Sequence, residues 1–217
     1  MKKNCTEVVF VLDRSESMCG LEKDTIGGFN SLINKQKKQD GEVLVSTVLF
    51  NDSSVVIHDR KPIDEVRLMT SKDYEVYGCT ALLDALGSSI RHIGNIHKYA
   101  RVEDIPEHTM FVIITDGMEN ASRYYSKERV KSMIEYEKEK YGWEFLFLAA
   151  NIDAIDTASQ YGIDKDHAVN YQCDSVGTRL NYEVLDEAIQ CICSGVPLSK
   201  SWKSKIEKCN LNFVKNV

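Results

Sequence analysis

Val8-Val9-Phe10-Val11-Leu12-Asp13-Arg14-Ser15-Glu16-Ser17 is the stretch that decides how this chain is read. Five consecutive apolar residues suit a strand buried on both faces, as in a parallel sheet covered by helices. The run stops at a carboxylate, and two hydroxyls follow at alternate positions on a tight loop. A second apolar run, Met110-Phe111-Val112-Ile113-Ile114, ends the same way in Thr115-Asp116-Gly117. Between them, Cys79-Thr80 precedes a helical pattern. Asp13, Ser15, Ser17, Thr80 and Asp116 offer hard oxygen donors without sulfur or imidazole, a set suited to Mg²⁺ or Mn²⁺.

The rest of the chain alternates strand and helix signals. Strands are expected at Glu7–Leu12, Glu42–Phe50, Val55–His58, Thr109–Thr115, Trp143–Ala150 and Ala168–Tyr171. Helices are expected at Leu21–Gln39, Ala81–Ile96, Ser126–Lys140, Ala154–Tyr161 and Ser175–Cys193, with Ser126 and Thr80 as candidate N-caps. Asn51-Asp52-Ser53 is turn-like, so Val55–His58 reads as an antiparallel edge strand. Gly27-Gly28 weakens the first helix, and close packing on the sheet is the expected reason. This alternation implies a mainly parallel sheet with helices on both faces.

A length of 217 residues suits one such domain with a tail. The formal net charge of -6 argues against general nucleic-acid binding. The N-terminus begins like a signal peptide, but its apolar run ends at Asp13, too early for an export signal. The later run Phe145–Ala150 is far too short for a membrane span. Seven cysteines at irregular spacings read as reduced thiols, and the chain is expected to be cytoplasmic. Pro197 after Gly195 marks a boundary, giving a domain over 1–194 and a basic C-terminal tail over 195–217. That tail is either a frayed terminus or a segment that docks on an acidic surface, the domain's own included.

The Asp-x-Ser-x-Ser loop, the lone Thr80 and the Thr-Asp-Gly after a second strand resemble the metal-ion-dependent adhesion site of von Willebrand factor type A (VWA) domains. The resemblance covers roughly residues 5 to 194. It implies a Rossmann-like three-layer α/β sandwich with a mainly parallel central sheet of about six strands and one antiparallel edge strand. It implies that Asp13, Ser15, Ser17, Thr80 and Asp116 hold Mg²⁺ or Mn²⁺, the hydroxyls directly and the aspartates largely through water. Such a neutral inner set leaves the cation seeking an outside carboxylate, an Asp or Glu of a partner protein. The implied function is divalent-cation-dependent protein binding rather than catalysis, in a bacterial stress-response or chaperone-like ATPase setting, with neither nucleic acid nor membrane as partner. The alternatives are a Mg²⁺-dependent hydrolase of phosphate esters and a VWA scaffold with a vestigial site.

Several residues around these motifs carry weaker expectations. Glu16, where relatives carry a small residue, is expected at the rim, either facing water, repelling an acidic partner or reaching a neighbouring copy's metal. Cys79 is expected to be a plain buried thiol. Asp84 reads either as an acceptor behind the ligands or as a solvated helix-start acid. Glu119-Asn120 are expected to shape the loop beside the metal. His58, His92, His97, His108 and His167 read as surface histidines. A zinc site from Cys173, Cys191, Cys193 and Cys209 is conceivable only on cysteine count. No Gly-x-Gly-x-x-Gly follows the first strand, and neither a P-loop nor a Gly-x-Ser-x-Gly elbow occurs.

Overall fold

The computed structural model describes residues 1–215, with side chains as far as residue 211. The last two residues of the expected tail, 216–217, lie outside the described residues. Six strands form one sheet: β1 (Lys2–Asp13), β2 (Glu42–Phe50), β3 (Ser54–Pro62), β4 (Pro106–Thr115), β5 (Glu144–Ala149) and β6 (Ala168–Asn170). Their order is β3-β2-β1-β4-β5-β6, with β3 antiparallel at one edge and the remaining pairs parallel. Strand order therefore reverses between β1 and β4, where open α/β sheets place ligands beyond the carboxyl ends of strands.

The apolar runs are continuous because both faces of the strands are covered. Along β1, Val8, Phe10 and Leu12 point into one core layer, and Val9 and Val11 into the other. In β4, Met110, Val112 and Ile114 join the first layer, and Phe111 and Ile113 the second. The first layer is closed by α1 (Glu22–Gln36) and α5 (Ser175–Cys193). The second is closed by α2 (Leu82–Tyr99), α3 (Lys127–Tyr141) and α4 (Ala154–Gln160). Ser126 caps α3 by accepting from the Arg129 amide at 3.3 Å.

Some expectations change. The strand expected at Val55–His58 runs on to Pro62 with irregular register, and Arg60 takes a left-handed φ of 46° there. Gly28 faces α5 rather than the sheet: a Cβ there would stand 2.2 Å from the Tyr182 ring, so the glycine permits close contact between α1 and α5. Thr80 does not cap α2, whose N-cap position is Ala81. Instead Glu119 accepts from the Leu83 amide at 2.8 Å and Ser122 from the Asp84 amide at 3.0 Å, so a distant loop satisfies the first turn.

The basic tail is not frayed over its described residues. It forms α6 (Ser204–Lys215) after a short 3-10 turn at Lys200–Lys203. Trp202 and Ile206 are buried, and Trp202 Nε1 donates to the Asp166 carbonyl at 2.8 Å. Lys203, also buried, spends its ammonium on the carbonyls of Lys165 at 2.8 Å and Ala168 at 2.7 Å. Lys200 pairs with Asp166 at 2.9 Å and Lys205 with Glu187, so the segment docks on this chain's own acidic groups. Apolar burial leads and the charges register it, since exposed ion pairs contribute little alone.

Candidate metal centre

Asp13 ends β1, and Asp116 follows the last residue of β4, which places their carboxylates side by side at the switch point. Both residues are 1% exposed. Ser15 is equally enclosed, Thr80 is buried, and Ser17 is exposed at the lip. A continuous set of hydrogen bonds joins them: Thr80 Oγ1 donates to Ser15 Oγ at 3.0 Å, Ser15 and Ser17 Oγ lie 3.2 Å apart, and Ser17 Oγ donates to Asp116 Oδ1 at 2.5 Å. All five residues singled out in the sequence thus converge.

The loop geometry follows from short-range chemistry. Asp13 Oδ1 accepts from the Ser15 amide at 2.8 Å, which turns the chain at once after the strand. A 3-10 turn at Glu16–Met18 then carries Ser17 back over the sheet end. The loop is held from outside by the Arg14 amide on the Phe50 carbonyl at 2.7 Å and the Glu16 amide on the Gly78 carbonyl at 3.0 Å. Gly78 adopts φ 77°, and a Cβ there would collide with Asp52, whose Oδ1 accepts from the Cys79 amide at 3.1 Å.

Residues with no expected role at the centre hold the two aspartates. Thr115 Oγ1 donates to Asp13 Oδ2 at 2.5 Å, so both Asp13 oxygens are engaged. Tyr74, buried on the loop between β3 and α2, donates its hydroxyl to the Asp13 carbonyl. Cys173 Sγ lies 3.5 Å from Asp116 Oδ2 and Asn151 Nδ2 donates to the Asp116 carbonyl at 3.2 Å. Thr115 stood in plain view beside Asp116; Tyr74, Asn151 and Cys173 carried no sequence signal. Glu119 and Asn120 do shape the neighbouring loop, Asn120 Oδ1 accepting from the Thr80 amide at 2.9 Å and its own amide reaching the Thr80 carbonyl at 3.0 Å.

Burial pushes the Asp13 carboxyl above its ordinary range, opposed by hydrogen bonds from Ser15 and Thr115 and reinforced by the Asp116 charge. Burial also raises Asp116, opposed by Ser17 and Cys173. Two adjacent carboxyls held this way favour a cation between them. A Cβ on Gly117 would stand 3.3 Å from Ser17 Oγ and 3.6 Å from Thr80 Oγ1, so glycine keeps open the space above the hydroxyls. The donor set and this cleared space fit a small divalent ion with oxygen ligands.

Other expectations are corrected. Cys79 is exposed, not buried, and the Asp52 charge raises its thiol rather than favouring the thiolate. Asp84 does stand in the first turn of α2, but it is not simply solvated: it collects the amides of Arg123, Tyr124 and Tyr125, each at 2.8 Å. His58 is buried, stacked on Phe29 and bonded to Thr47 at 3.0 Å. His97 is half-buried against Glu7 at 2.6 Å. Glu16 is exposed. Among the described residues no group of three or more His, Cys, Asp or Glu side chains could hold a metal, which leaves no four-cysteine zinc site. All seven cysteines are free. Among the described residues, no helix is long and apolar enough to cross a membrane.

No protein-family model matches the sequence, and no curated protein matches it. Solved structures do share the fold. A von Willebrand factor type A protein from Catenulispora acidiphila superposes with a TM-score of 0.55 at 11% identity, covering 86% of this chain and 42% of the other. The ArnB paralog VWA2 from Sulfolobus acidocaldarius gives 0.55 at 17% identity, covering 86% and 45%. Proximal thread matrix protein 1 from the mussel byssus, with a zinc-occupied MIDAS motif, gives 0.58 at 15% identity, covering 89% and 47%. The chain thus spans less than half the length of each of these structures, and has the fold of VWA domains.

Proposed function

We propose that this chain, with its VWA fold, is a divalent-cation-dependent protein-binding module. The observation that carries the reading is the meeting of Asp13, Ser15, Ser17, Thr80 and Asp116 beneath a space that Gly117 leaves open. Mg²⁺ or Mn²⁺ there would supply a Lewis-acidic position for a carboxylate from an Asp or Glu of a partner protein. Ser15, Ser17 and Thr80 would hold the ion through neutral oxygens, and Asp13 and Asp116 would balance its charge. Thr115, Tyr74 and Cys173 keep the aspartates in place. Met118 and Tyr77, both exposed next to this loop system, give the opening apolar flanks for a macromolecular partner.

No general base stands out among the groups lining the centre, which favours binding over hydrolysis of phosphate esters. The setting we propose is the bacterial cytoplasm, in a stress-response or chaperone-like ATPase system. Seven free thiols suit a reducing compartment. We take the binding domain as residues 1–194, with 195–217 appended to it.

The test is thermal melting and calorimetry with Mg²⁺ and Mn²⁺. An ion that binds the assembled site and not the unfolded chain raises the melting temperature by mass action. Asp13→Ala should abolish the response with the fold retained. A wild type indifferent to millimolar Mg²⁺ and Mn²⁺, alone and with a captured partner, would establish the vestigial reading. Turnover in a panel of phosphate esters, lost in Asp13→Ala, would establish the hydrolase.

A further inference from the structure

At the end of the sheet opposite the metal centre, a cavity of about 310 Å³ lies where β4 begins, enclosed by α2, α3 and the segment from Val102 to Pro106. Trp143, Tyr141, Val102, Ile105 and Pro106 supply most of its apolar lining. Trp143 is 4% exposed, and no acceptor among the described residues takes its indole N–H, whereas Trp202 Nε1 reaches the Asp166 carbonyl at 2.8 Å. A largely buried indole usually finds such an acceptor.

Five titratable side chains line the same space: His97 and Lys98 of α2, Glu107 of β4, and Glu137 and Lys140 of α3. Three of them are already engaged or enclosed. His97 pairs with Glu7 at 2.6 Å. Glu107 accepts from Lys3 at 2.5 Å and from the Asn4 amide at 3.0 Å. Glu137 is only 9% exposed, its Oε2 is fully enclosed, and burial favours its neutral form. The two ammonium groups are left over. Lys98 Nζ lies 5.3 Å from the Tyr99 ring centre, and Lys140 Nζ donates to the Tyr136 hydroxyl at 2.5 Å, but neither forms an ion pair among the described residues. Both lysines are exposed, one on each of the two helices that wall the cavity.

We propose that this cavity binds a small organic carboxylate, an acid with a compact apolar or aromatic body, its carboxylate meeting Lys98 and Lys140 and its body packing on Trp143. The volume lies at the lower end of small-molecule sites, and an apolar lining with a few polar groups is their usual composition. The uncommitted charge of the lining is positive, which selects an anion. A single carboxylate suits it better than a doubly charged phosphate ester, because Glu107 and Glu137 stand in the same lining. Each ammonium is a point charge on a flexible stem, so the two can converge on one carboxylate at the mouth. The apolar wall behind them lowers the local dielectric and strengthens that pairing. The Trp143 indole N–H is a further donor for an oxygen of the ligand.

The test titrates full-length protein with 3-phenylpropanoate and with its neutral isostere 3-phenylpropanamide, by calorimetry and thermal shift. The acid should bind at least about tenfold more tightly than the amide. Replacing both lysines, Lys98→Gln with Lys140→Gln, should remove that preference, and Val102→Trp at the exposed mouth should weaken both ligands. Asp13→Ala, at the far end of the sheet, should change neither. Equal binding of acid and amide, an unchanged preference in the double lysine variant, or no binding of the acid up to about 10 mM would overturn the proposal. Val102→Trp keeps the test open if the double variant folds poorly, because an unaltered affinity for the acid there would place the ligand elsewhere.

Discussion

Thr115 Oγ1 donates to Asp13 Oδ2 at 2.5 Å, across the junction of β4 and β1 where the strand order reverses. This bond fixes one carboxylate of the candidate centre from the residue immediately before the other. Its partner oxygen, Oδ1, is fixed by the Ser15 amide. The carboxylate is therefore set from both neighbouring segments before any ion arrives, which limits the reorganisation binding requires.

Thr115→Val keeps the shape of the side chain and removes the donor. Metal affinity should fall by roughly tenfold, and stability by about 1–3 kcal/mol, because a buried carboxylate oxygen loses its partner. Calorimetry with Mn²⁺ and urea melts measure the two separately. Unchanged affinity with reduced stability would restrict Thr115 to a folding role.

Gly28→Ala should destabilise the fold by about 1–3 kcal/mol, since its Cβ would enter the Tyr182 ring at 2.2 Å and force α1 from α5. Tyr182→Phe should be neutral or slightly stabilising, because the Tyr182 hydroxyl is buried with no partner among the described residues. Urea midpoints decide both, and a strongly destabilised Tyr182→Phe would reveal a bond to that hydroxyl.

Arg67 grips Asp73 through two nitrogens, at 2.8 and 2.6 Å, and holds its carboxyl well below the usual range. The pair clasps the loop that carries Tyr74 to the Asp13 carbonyl. A depressed carboxyl contributes stability above its unfolded value and loses it as pH falls through the folded one. The melting temperature of wild type should therefore exceed that of Asp73→Asn by a constant margin at neutral pH. That margin should shrink on acidification below about pH 4. A margin independent of pH would mean that the Asp73 charge is not what secures the loop.

Glu137 has the opposite sign. Burial raises its carboxyl, with His97 and Lys140 opposing, so its neutral form is the one the fold prefers. Stability associated with it is complete below the unfolded value and falls as pH rises through the folded one. Glu137→Gln should therefore gain on wild type as pH rises above about 4. Parallel pH profiles for the two proteins would show that Glu137 ionises in the fold as freely as in the unfolded chain.

Glu16→Gly should leave Mg²⁺ and Mn²⁺ affinity within about twofold at physiological salt. The side chain is exposed, and screening over a Debye length of about 8 Å weakens its reach. A larger gain at low salt that vanishes on adding salt would identify Glu16 as an electrostatic guard of the opening.

Much of the architecture was legible because its signals are local. A five-residue apolar run bounded by a turn-forming carboxylate reads as a short strand covered on both faces, and Ser126 announces α3 through its cap. The full length of the edge strand is not legible, because Asp59, Arg60 and Lys61 look like loop residues. They extend β3 only because an edge strand tolerates charge and irregular register. The lysine-rich tail read equally as a frayed terminus or as a segment docking on the domain's own acidic surface, and what favours docking, the apolar footing of Trp202 and Ile206, is hidden by its charge composition.

The class of fold and the candidate oxygen donors follow from local signals, because unbroken apolar runs and a tight turn after a strand are properties of neighbouring residues. What stands behind those donors comes from contacts distant in sequence. Thr115 lies 102 residues from Asp13, Tyr74 lies 61 residues from it, and Cys173 lies 57 residues from Asp116. The same holds for Glu119 on the first turn of α2, Gly28 against Tyr182, and Glu137 Oε2, left without a partner among the described residues. Nothing in local periodicity constrains which side chains meet across such separations. Packing of two layers against one twisted sheet sets those meetings, and with them the charge balance at each end of the molecule.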